Sequence, residues 1–247
     1  MNAYESLAGA YDGLTRDIPY EKILDFIEAV LQKDGKRPKT VLDLACGTGS
    51  MSVLLAKRGY RVLASDISEE MLTVAAEKAM ELEENPPFFI HQSMQRLRLP
   101  QPVELVVCLL DSLNYLDEPA DCPAAFRRVW QALTPGGVFL FDINTPYKLK
   151  ELDGQVFLDE TENSYCVWRA EFDAAENRCY YGIDLFRRQG ALWARSFEQH
   201  GEYAYEPQTL EKWLTEAGFA RVVQYGDCAL RAPQAAEQRI YFAAYKE

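Results

Sequence analysis

The stretch TVLDLACGTGSMS, residues 40–52, determines how the rest of this 247-residue chain is organised. Its apolar run at 41–44 leads directly into Gly47 and Gly49, which is typical of a buried strand that ends in a tight loop. A helical pattern over 50–58 follows at once. Glycine lets the backbone approach a ligand closely, and the start of a helix offers unpaired N–H groups. The stretch therefore predicts a strand, a ligand-binding loop and a helix.

An acid before the loop indicates what kind of ligand it binds. The nicotinamide fingerprint G-x-G-x-x-G binds a pyrophosphate, and here Gly47 and Gly49 supply its first two glycines. Ser52 occupies the third position, and Asp43 precedes the loop. A carboxylate suits a cationic ligand better than a pyrophosphate, so a nicotinamide dehydrogenase ranks last among the candidate functions.

A second acid follows the next apolar run. Residues 61–65 predict a strand that ends at Asp66, 17 residues after Gly49. A carboxylate at this place can accept hydrogen bonds from both ribose hydroxyls of a bound nucleoside. Ser68 then caps a predicted helix over 69–83. Taken alone, Asp66 could be an ordinary turn residue, but its distance from the glycine loop favours the binding role.

The pattern Asp43-x-Ala45-x-Gly47-x-Gly49 resembles motif I of the class I S-adenosylmethionine (SAM) methyltransferases, [D/E]-x-[G/A]-x-G-x-G. The resemblance extends over residues 40–146 and, less strongly, over 206–245. It implies SAM as cofactor, S-adenosylhomocysteine as product, and an in-line displacement in which positioning contributes most of the rate. It also assigns a cofactor-binding set: Tyr11, Tyr20, Asp43, Ala45, Gly47, Thr48, Gly49, Asp66, Ile67, Ser93, Met94 and Leu109.

Within that set, the resemblance implies separate roles for the two ends of SAM. Asp43 and the glycine loop hold the methionine end, and Asp66 holds the ribose. Ile67 packs on the adenine, while Ser93 and Met94 lie where its edge is read. Many relatives have Asp at the place of Ser93, a stronger acceptor for the adenine amino group.

Asp111, His200 and Tyr11 are the candidate catalytic residues, although methyl transfer does not always need a general base. The segment 110–115 lacks the prolines of amino-adenine methyltransferases, which argues against that substrate. Asp111 could orient a nucleophile, contact the SAM ammonium, or cap the next turn together with Asn114. A surface position is the alternative for His200, and core packing is the alternative for Tyr11.

Hydrophobic periodicity predicts an α/β fold with a parallel sheet that is covered on both faces. The resemblance implies that this sheet is doubly wound and seven-stranded, mostly parallel with the last strand antiparallel. Predicted strands are 40–45, 61–65, 88–91, 103–110, 138–143, 219–225 and 239–245, with helices at 50–58, 69–83, 122–133 and 207–217. Residues 155–203 alternate with period two and predict an antiparallel insertion of three or four strands. The predicted domains are an N-terminal helical lid over 1–35, a Rossmann-like methyltransferase domain over 36–150 and 204–247, and the insertion over 151–203, a substrate cap.

The amino-acid composition limits which ligands and partners we expect. The net charge of −12 disfavours a long nucleic acid, and two histidines make a His-rich metal site unexpected. Six scattered cysteines favour a reducing compartment, and we expect a cytoplasmic protein with no membrane span and no signal peptide. The leading hypothesis is a small-molecule methyltransferase. A tRNA or protein acceptor, or a non-catalytic SAM-binding regulator, remains an alternative, and the oligomeric state stays open.

Overall fold

A computed structural model describes residues 11–13, 15–116 and 118–247. Most of the first predicted lid helix, at residues 1–10, lies outside the described residues. The first long helix, α1, begins directly after Pro19. The helices are α1 (Tyr20–Lys33), α2 (Ser50–Lys57), α3 (Glu69–Ala79), α4 (Asp121–Ala132), α5 (Pro146–Glu151) and α6 (Pro207–Ala217).

The strands form two separate sheets. The larger sheet contains β1 (Thr40–Leu44), β2 (Arg61–Asp66), β3 (Phe88–His91), β4 (Val103–Cys108), β5 (Leu133–Asn144), β10 (Arg221–Tyr225) and β11 (Arg239–Tyr245). The smaller sheet contains β6 (Val156–Glu160), β7 (Ser164–Asp173), β8 (Arg178–Gln189) and β9 (Leu192–Tyr203). These four antiparallel strands are the insertion that the period-two alternation predicts.

The larger sheet has the order β10-β11-β5-β4-β1-β2-β3. Only β11 runs antiparallel to its neighbours β5 and β10, so the predicted fold class is confirmed. Strand order reverses beside β1, whose partners are β2 on one side and β4 on the other. A crevice opens at such a reversal, outside the carboxyl ends of the strands.

Both faces of the larger sheet are covered, which is why its strands are apolar throughout. On one face, Phe126 of α4 packs with Phe139 and Phe141 of β5. On the other, α1 buries an apolar stripe: Ile23, Leu24, Phe26, Ile27, Val30 and Leu31. None of the helices in the described part of the chain has the length and apolar character needed to span a bilayer.

Several element boundaries differ from the predicted ones. Strand β4 ends at Cys108 rather than 110, because Leu110 and Asp111 have φ of +57° and +53° and so leave the extended conformation. Helix α3 ends at Ala79, before the predicted residue 83. Strand β5 begins at Leu133 rather than 138, and its register with β4 shifts between Val103 and Leu105.

Helix α5 is absent from the sequence-based predictions, although its start signal is present. The hydroxyl of Thr145 accepts the N–H of Lys148 at 3.1 Å, and Pro146 occupies the first helical turn. The helix is only six residues long, too short for its periodicity to show. It carries the chain from β5 to the smaller sheet.

Asn114 connects the two sheets. Its side-chain amide donates to the carbonyl oxygens of Asn144 in β5, at 3.1 Å, and of Tyr203 in β9, at 2.7 Å. The Asn144 side chain donates in turn to Glu202 at 2.8 Å. These buried bonds hold the end of β9 against the carboxyl edge of the larger sheet.

Candidate functional site

A cavity of about 320 Å³ lies at the carboxyl ends of β1, β2, β3 and β4. Most of the predicted site residues line it: Tyr11, Tyr20, Asp43, Ala45, Gly47, Thr48, Asp66, Ile67, Ser93, Met94, Leu109 and His200. The strand-end rule therefore brings together residues that lie far apart in sequence. Gly49 and Asp111 do not line the cavity, and both are explained by other contacts.

The glycine loop is shaped by left-handed backbone conformations. Ala45, Gly47 and Gly49 have φ of +58°, +54° and +75°. A β-carbon on Gly49 would come within 2.8 Å of the Ala75 β-carbon on α3. Gly49 therefore lets the start of α2 pack against α3, which is a different role from the cofactor contact that the motif implies.

Asp43 is buried at the base of the loop, with 2 % of its surface exposed. The hydroxyl of Ser52 donates to its carboxylate at 2.5 Å. Burial, with a smaller contribution from the charge of Asp66, raises the pKa of Asp43 to about 7. Ser52, which occupies the third glycine position of the nicotinamide fingerprint, is thus the hydrogen-bond partner of Asp43. A cation in the cavity would stabilise the ionised carboxylate.

Asp66 fixes the end of β2 to two loops. One carboxylate oxygen accepts the N–H of Gly47 and the other accepts the N–H of Ser68, both at 2.9 Å. Burial raises the pKa of Asp66, and these backbone bonds oppose that shift. The two bonds hold the carboxylate in one orientation at the cavity wall, where a nucleoside hydroxyl can reach it.

The N-terminal segment contacts the glycine loop. Asp12 accepts a hydrogen bond from the Thr48 hydroxyl at 2.6 Å and pairs with Lys78 of α3 at 2.7 Å. Tyr11 and Tyr20, on either side of this contact, line the cavity. Burial raises the pKa of Tyr20 to about 12 and that of Tyr11 further above its ordinary value. Both phenols therefore stay protonated at neutral pH, so Tyr11 is poorly suited to act as a base.

Asp111 belongs to an ion cluster beside the cavity. Its carboxylate pairs with Arg239 of β11 at 2.6 Å, and Arg239 also pairs with Asp142. Asp142 accepts the backbone N–H groups of Leu110 and Asp111, at 2.8 and 3.0 Å. These contacts stabilise the left-handed turn after β4. Of the roles open to Asp111, this geometry favours the structural one.

His200 is buried, with 3 % of its surface exposed, so the surface alternative is wrong. Its Nε2 lies 2.9 Å from a carboxylate oxygen of Glu198, and the Tyr115 ring meets it edge-on at 6.1 Å between centroids. Gln199 and Gly201 line the cavity beside it. Sequence reasoning missed Glu198, Tyr115 and these neighbours. The available signal was acids two residues on either side of a histidine in a period-two strand, which places all three on one face.

Taken together, the sheet order, the glycine loop and the two strand-end acids define a Rossmann-like α/β protein with a nucleoside-binding site. The comparisons with known proteins are specific. A family model described as "Methyltransferase domain" matches residues 41–137. Two relatives, each named "Putative methyltransferase", come from Geobacillus sp. (strain WCH70) and, as YqeM, from Bacillus subtilis (strain 168). The first is 32 % identical over 98 % of this chain and 99 % of its own length, and the second 31 % identical over 98 % and 97 %.

Solved structures agree. A SAM-dependent methyltransferase from Clostridium acetobutylicum ATCC 824 is 30 % identical, with a TM-score of 0.87 over 99 % of both chains. SAM-bound CalS10 from Micromonospora echinaspora, an amino pentose methyltransferase, shares the fold at 19 % identity, with a TM-score of 0.73 over 99 % of this chain and 97 % of its own. The chain belongs to the SAM-dependent methyltransferases, and SAM is its cofactor.

Proposed function

We propose that this methyltransferase transfers the methyl group of SAM to a small molecule bound between the carboxyl edge of the larger sheet and the insertion sheet. One observation carries the proposal. A single cavity is lined both by the glycine loop at Ala45–Thr48 and by residues 199–201 of β9. A cofactor on the loop and an acceptor beneath β9 would therefore meet in the same space.

The residues present fit SAM. The ligand is a cation at its sulfonium and at its ammonium, and the buried Asp43 has a pKa that burial holds near 7. Asp66, fixed by two backbone N–H donors, suits the ribose hydroxyls. Ile67 is 54 % exposed on the cavity wall, where it can cover the adenine. When bound, SAM supplies an activated methyl group, and these residues hold and orient it.

The enclosed position of the cavity and the net charge of the chain both favour a small methyl acceptor. The insertion covers one side of the cavity, and the N-terminal segment contacts both the loop, through Asp12, and β6, where Arg16 donates to the Glu160 carbonyl at 3.2 Å. The chain carries a net charge of −12, which repels a phosphate backbone. A small molecule fits such a site better than a folded RNA or protein.

Two measurements test the proposal. Calorimetric titration with SAM is expected to show binding that weakens in Asp66→Asn and is unchanged in Asp25→Asn, an exposed acid of α1. Release of S-adenosylhomocysteine is then measured against a panel of small amines, alcohols, phenols and thiols, with tRNA and peptides as parallel arms. Absence of SAM binding at millimolar concentration, or methylation confined to tRNA or peptides, contradicts the proposal.

A further inference from the structure

We propose that His200, positioned by Glu198, accepts a proton from the methyl acceptor, so that the acceptor is an amine N–H or a hydroxyl O–H. This inference rests on the proposed function and adds the chemical class of the acceptor. It also separates two roles. His200 meets the acceptor and is catalytic, whereas Glu198 acts through His200 and is a positioning residue.

Three ionisable side chains lie on one buried face of strand β9. Its register places Glu198 opposite Ile183, His200 opposite Tyr181 and Glu202 opposite Cys179 of β8. Those β8 side chains belong to the apolar cluster beneath the insertion sheet. Burying three ionisable groups on one face of an otherwise apolar layer is costly. Such a concentration beside a cavity is typical of a functional site.

Only His200 of these three lines the cavity. Its flanking residues Gln199 and Gly201 line the cavity too, so this part of β9 forms the wall opposite the cofactor loop. Glu198 lies 2.9 Å from Nε2 of its ring, and Tyr115 on the turn after β4 meets the ring edge-on. The register places Tyr181 of β8 opposite His200.

The contact with Glu198 selects the histidine tautomer. An ionised carboxylate can only accept hydrogen bonds, so with Glu198 ionised the 2.9 Å contact places a proton on Nε2 of His200. In that tautomer Nδ1 is the accepting nitrogen. A base oriented by a carboxylate is a recurring arrangement for activating a protic nucleophile.

The other candidate bases are less suited. The Asp111 carboxylate is held by Arg239 at 2.6 Å beside the cavity rather than on its wall. Tyr11 lines the cavity, but its pKa is raised by burial, so it carries its own proton at neutral pH. Of the three candidate bases, His200 is the one that both lines the cavity and can take a proton.

The step balances as follows. The lone pair of the acceptor atom forms a bond to the methyl carbon, and the carbon–sulfur bond breaks with its electron pair staying on sulfur. The products are the methylated acceptor and S-adenosylhomocysteine. The proton on the acceptor atom passes to Nδ1 of His200 and then to solvent, so no further reactant is needed. An acceptor without a proton to lose would gain nothing from this residue.

Histidine ring NMR of the full chain tests the inference without a known acceptor. The chain has only two histidines, His91 and His200, so a ¹⁵N-histidine-labelled sample gives two sets of ring signals. His200→Asn assigns them by loss of one set, and His91→Gln does so if that variant fails to fold. The probes are S-adenosylhomocysteine and sinefungin, a SAM analogue with an amine in place of the methylated sulfonium.

We expect His200 to carry its proton on Nε2 in the S-adenosylhomocysteine complex, and sinefungin to shift its Nδ1 signal. Glu198→Gln should abolish the tautomer preference, whereas the matched control Glu171→Gln, exposed on β7, should keep it. An Nδ1–H tautomer, or a His200 signal identical with both ligands, overturns the inference alone. Failure of both ligands to bind overturns the proposed function as well.

An acceptor identified by the panel adds a kinetic readout. His200→Asn should lower kcat by roughly 10²–10⁴-fold, the usual contribution of a general base, with SAM affinity unchanged. Glu198→Gln should lower kcat in the same direction and Glu171→Gln should not. A loss of less than about twofold in His200→Asn contradicts a catalytic proton transfer.

Discussion

At the scale of single residues, the cofactor end of the site depends on a buried acid whose charge is costly until a cation arrives. Asp43 has one side-chain donor, Ser52, and burial raises its pKa to about 7. A ligand with an ammonium and a sulfonium supplies the missing positive charge. We therefore expect the free energy that burial of Asp43 costs in the empty protein to be recovered when SAM binds.

Asp43→Asn should weaken SAM binding about 10- to 100-fold, the usual cost of removing a charged hydrogen-bond partner. In the parent, affinity should rise between pH 6 and 8, because the carboxylate ionises in that range. The variant should show no such rise. Calorimetry at pH 6, 7 and 8 measures both effects, with Asp25→Asn as the exposed control. Parent affinity that does not change with pH contradicts this role for Asp43.

Gly49→Ala should destabilise the fold, because the new β-carbon meets Ala75 at 2.8 Å and the residue has φ of +75°. Gly154→Ala is the matched control, since Gly154 has φ of +72° and nothing within 4 Å. The control should cost roughly 1–2 kcal/mol for its backbone conformation. Gly49→Ala should cost a further 1–3 kcal/mol for overpacking. Equal free energies of unfolding in urea would show that the contact with Ala75 is unimportant.

At the scale of elements, the N-terminal segment and helix α3 meet over the glycine loop. Lys78 pairs with Asp12 at 2.7 Å and donates to Ser50 at 2.7 Å, while Thr48 donates to Asp12. Three elements thus share one polar cluster directly beside the cofactor residues. Tyr11 and Tyr20 come to the cavity because the segment between them is attached at this point.

Lys78→Ala should raise the dissociation constant for SAM about three- to tenfold, because a half-exposed ion pair of this kind contributes on the order of 1 kcal/mol. Because the segment is predicted to close over the bound cofactor, the loss of affinity should appear mainly as a higher dissociation rate of SAM. Stopped-flow displacement measures that rate. Lys212→Ala, an exposed lysine of α6, is the control, and an equal change in both variants would argue against the segment closing over SAM.

At the scale of the whole molecule, residues of both sheets line one cavity, and each sheet carries a buried acid. Burial raises the pKa of Asp43 to about 7 and that of Glu202 to about 8. An acid whose pKa is raised in the folded state stabilises the fold below its ordinary pKa. This contribution is lost as the pH rises through the folded-state value.

The unliganded protein should therefore lose thermal stability from about pH 5, just above the ordinary carboxyl pKa, up to about pH 8, and change little beyond that. Each kcal/mol corresponds to roughly 2–4 °C in Tm for a chain of this size. Asp34, Glu104 and Glu237 have lowered pKa values, so they act at acid pH and do not affect this window. Thermal scans of the parent, Asp43→Asn, Glu202→Gln and the SAM complex measure the slope. A parent Tm that is constant across this range contradicts the expectation.

The cofactor half of the site could be predicted because its geometry is local. Strand, loop and helix are consecutive in residues 40–58, and parallel strands bring Asp43, Asp66 and Ser93 to one edge wherever the sheet forms. Period-two alternation likewise predicted the insertion without reference to the rest of the chain. For these features, a short stretch of sequence fixes the position of each side chain relative to its neighbours.

The positions of the other site residues depend on contacts between segments that are distant in sequence. Arg239 reaches Asp111 across 128 residues and holds it beside the cavity, and the packing of α3 makes Gly49 a structural glycine. The alternating pattern of β9 would fit His200 either as a surface residue or as a buried one. Its burial depends on what this face of β9 packs against. Periodicity specifies which side chains share a face of a strand, but not which part of the protein packs against that face. For this protein, the sequence therefore determined the family and its cofactor, whereas the tertiary structure decided which side chains line the cavity beside the cofactor loop.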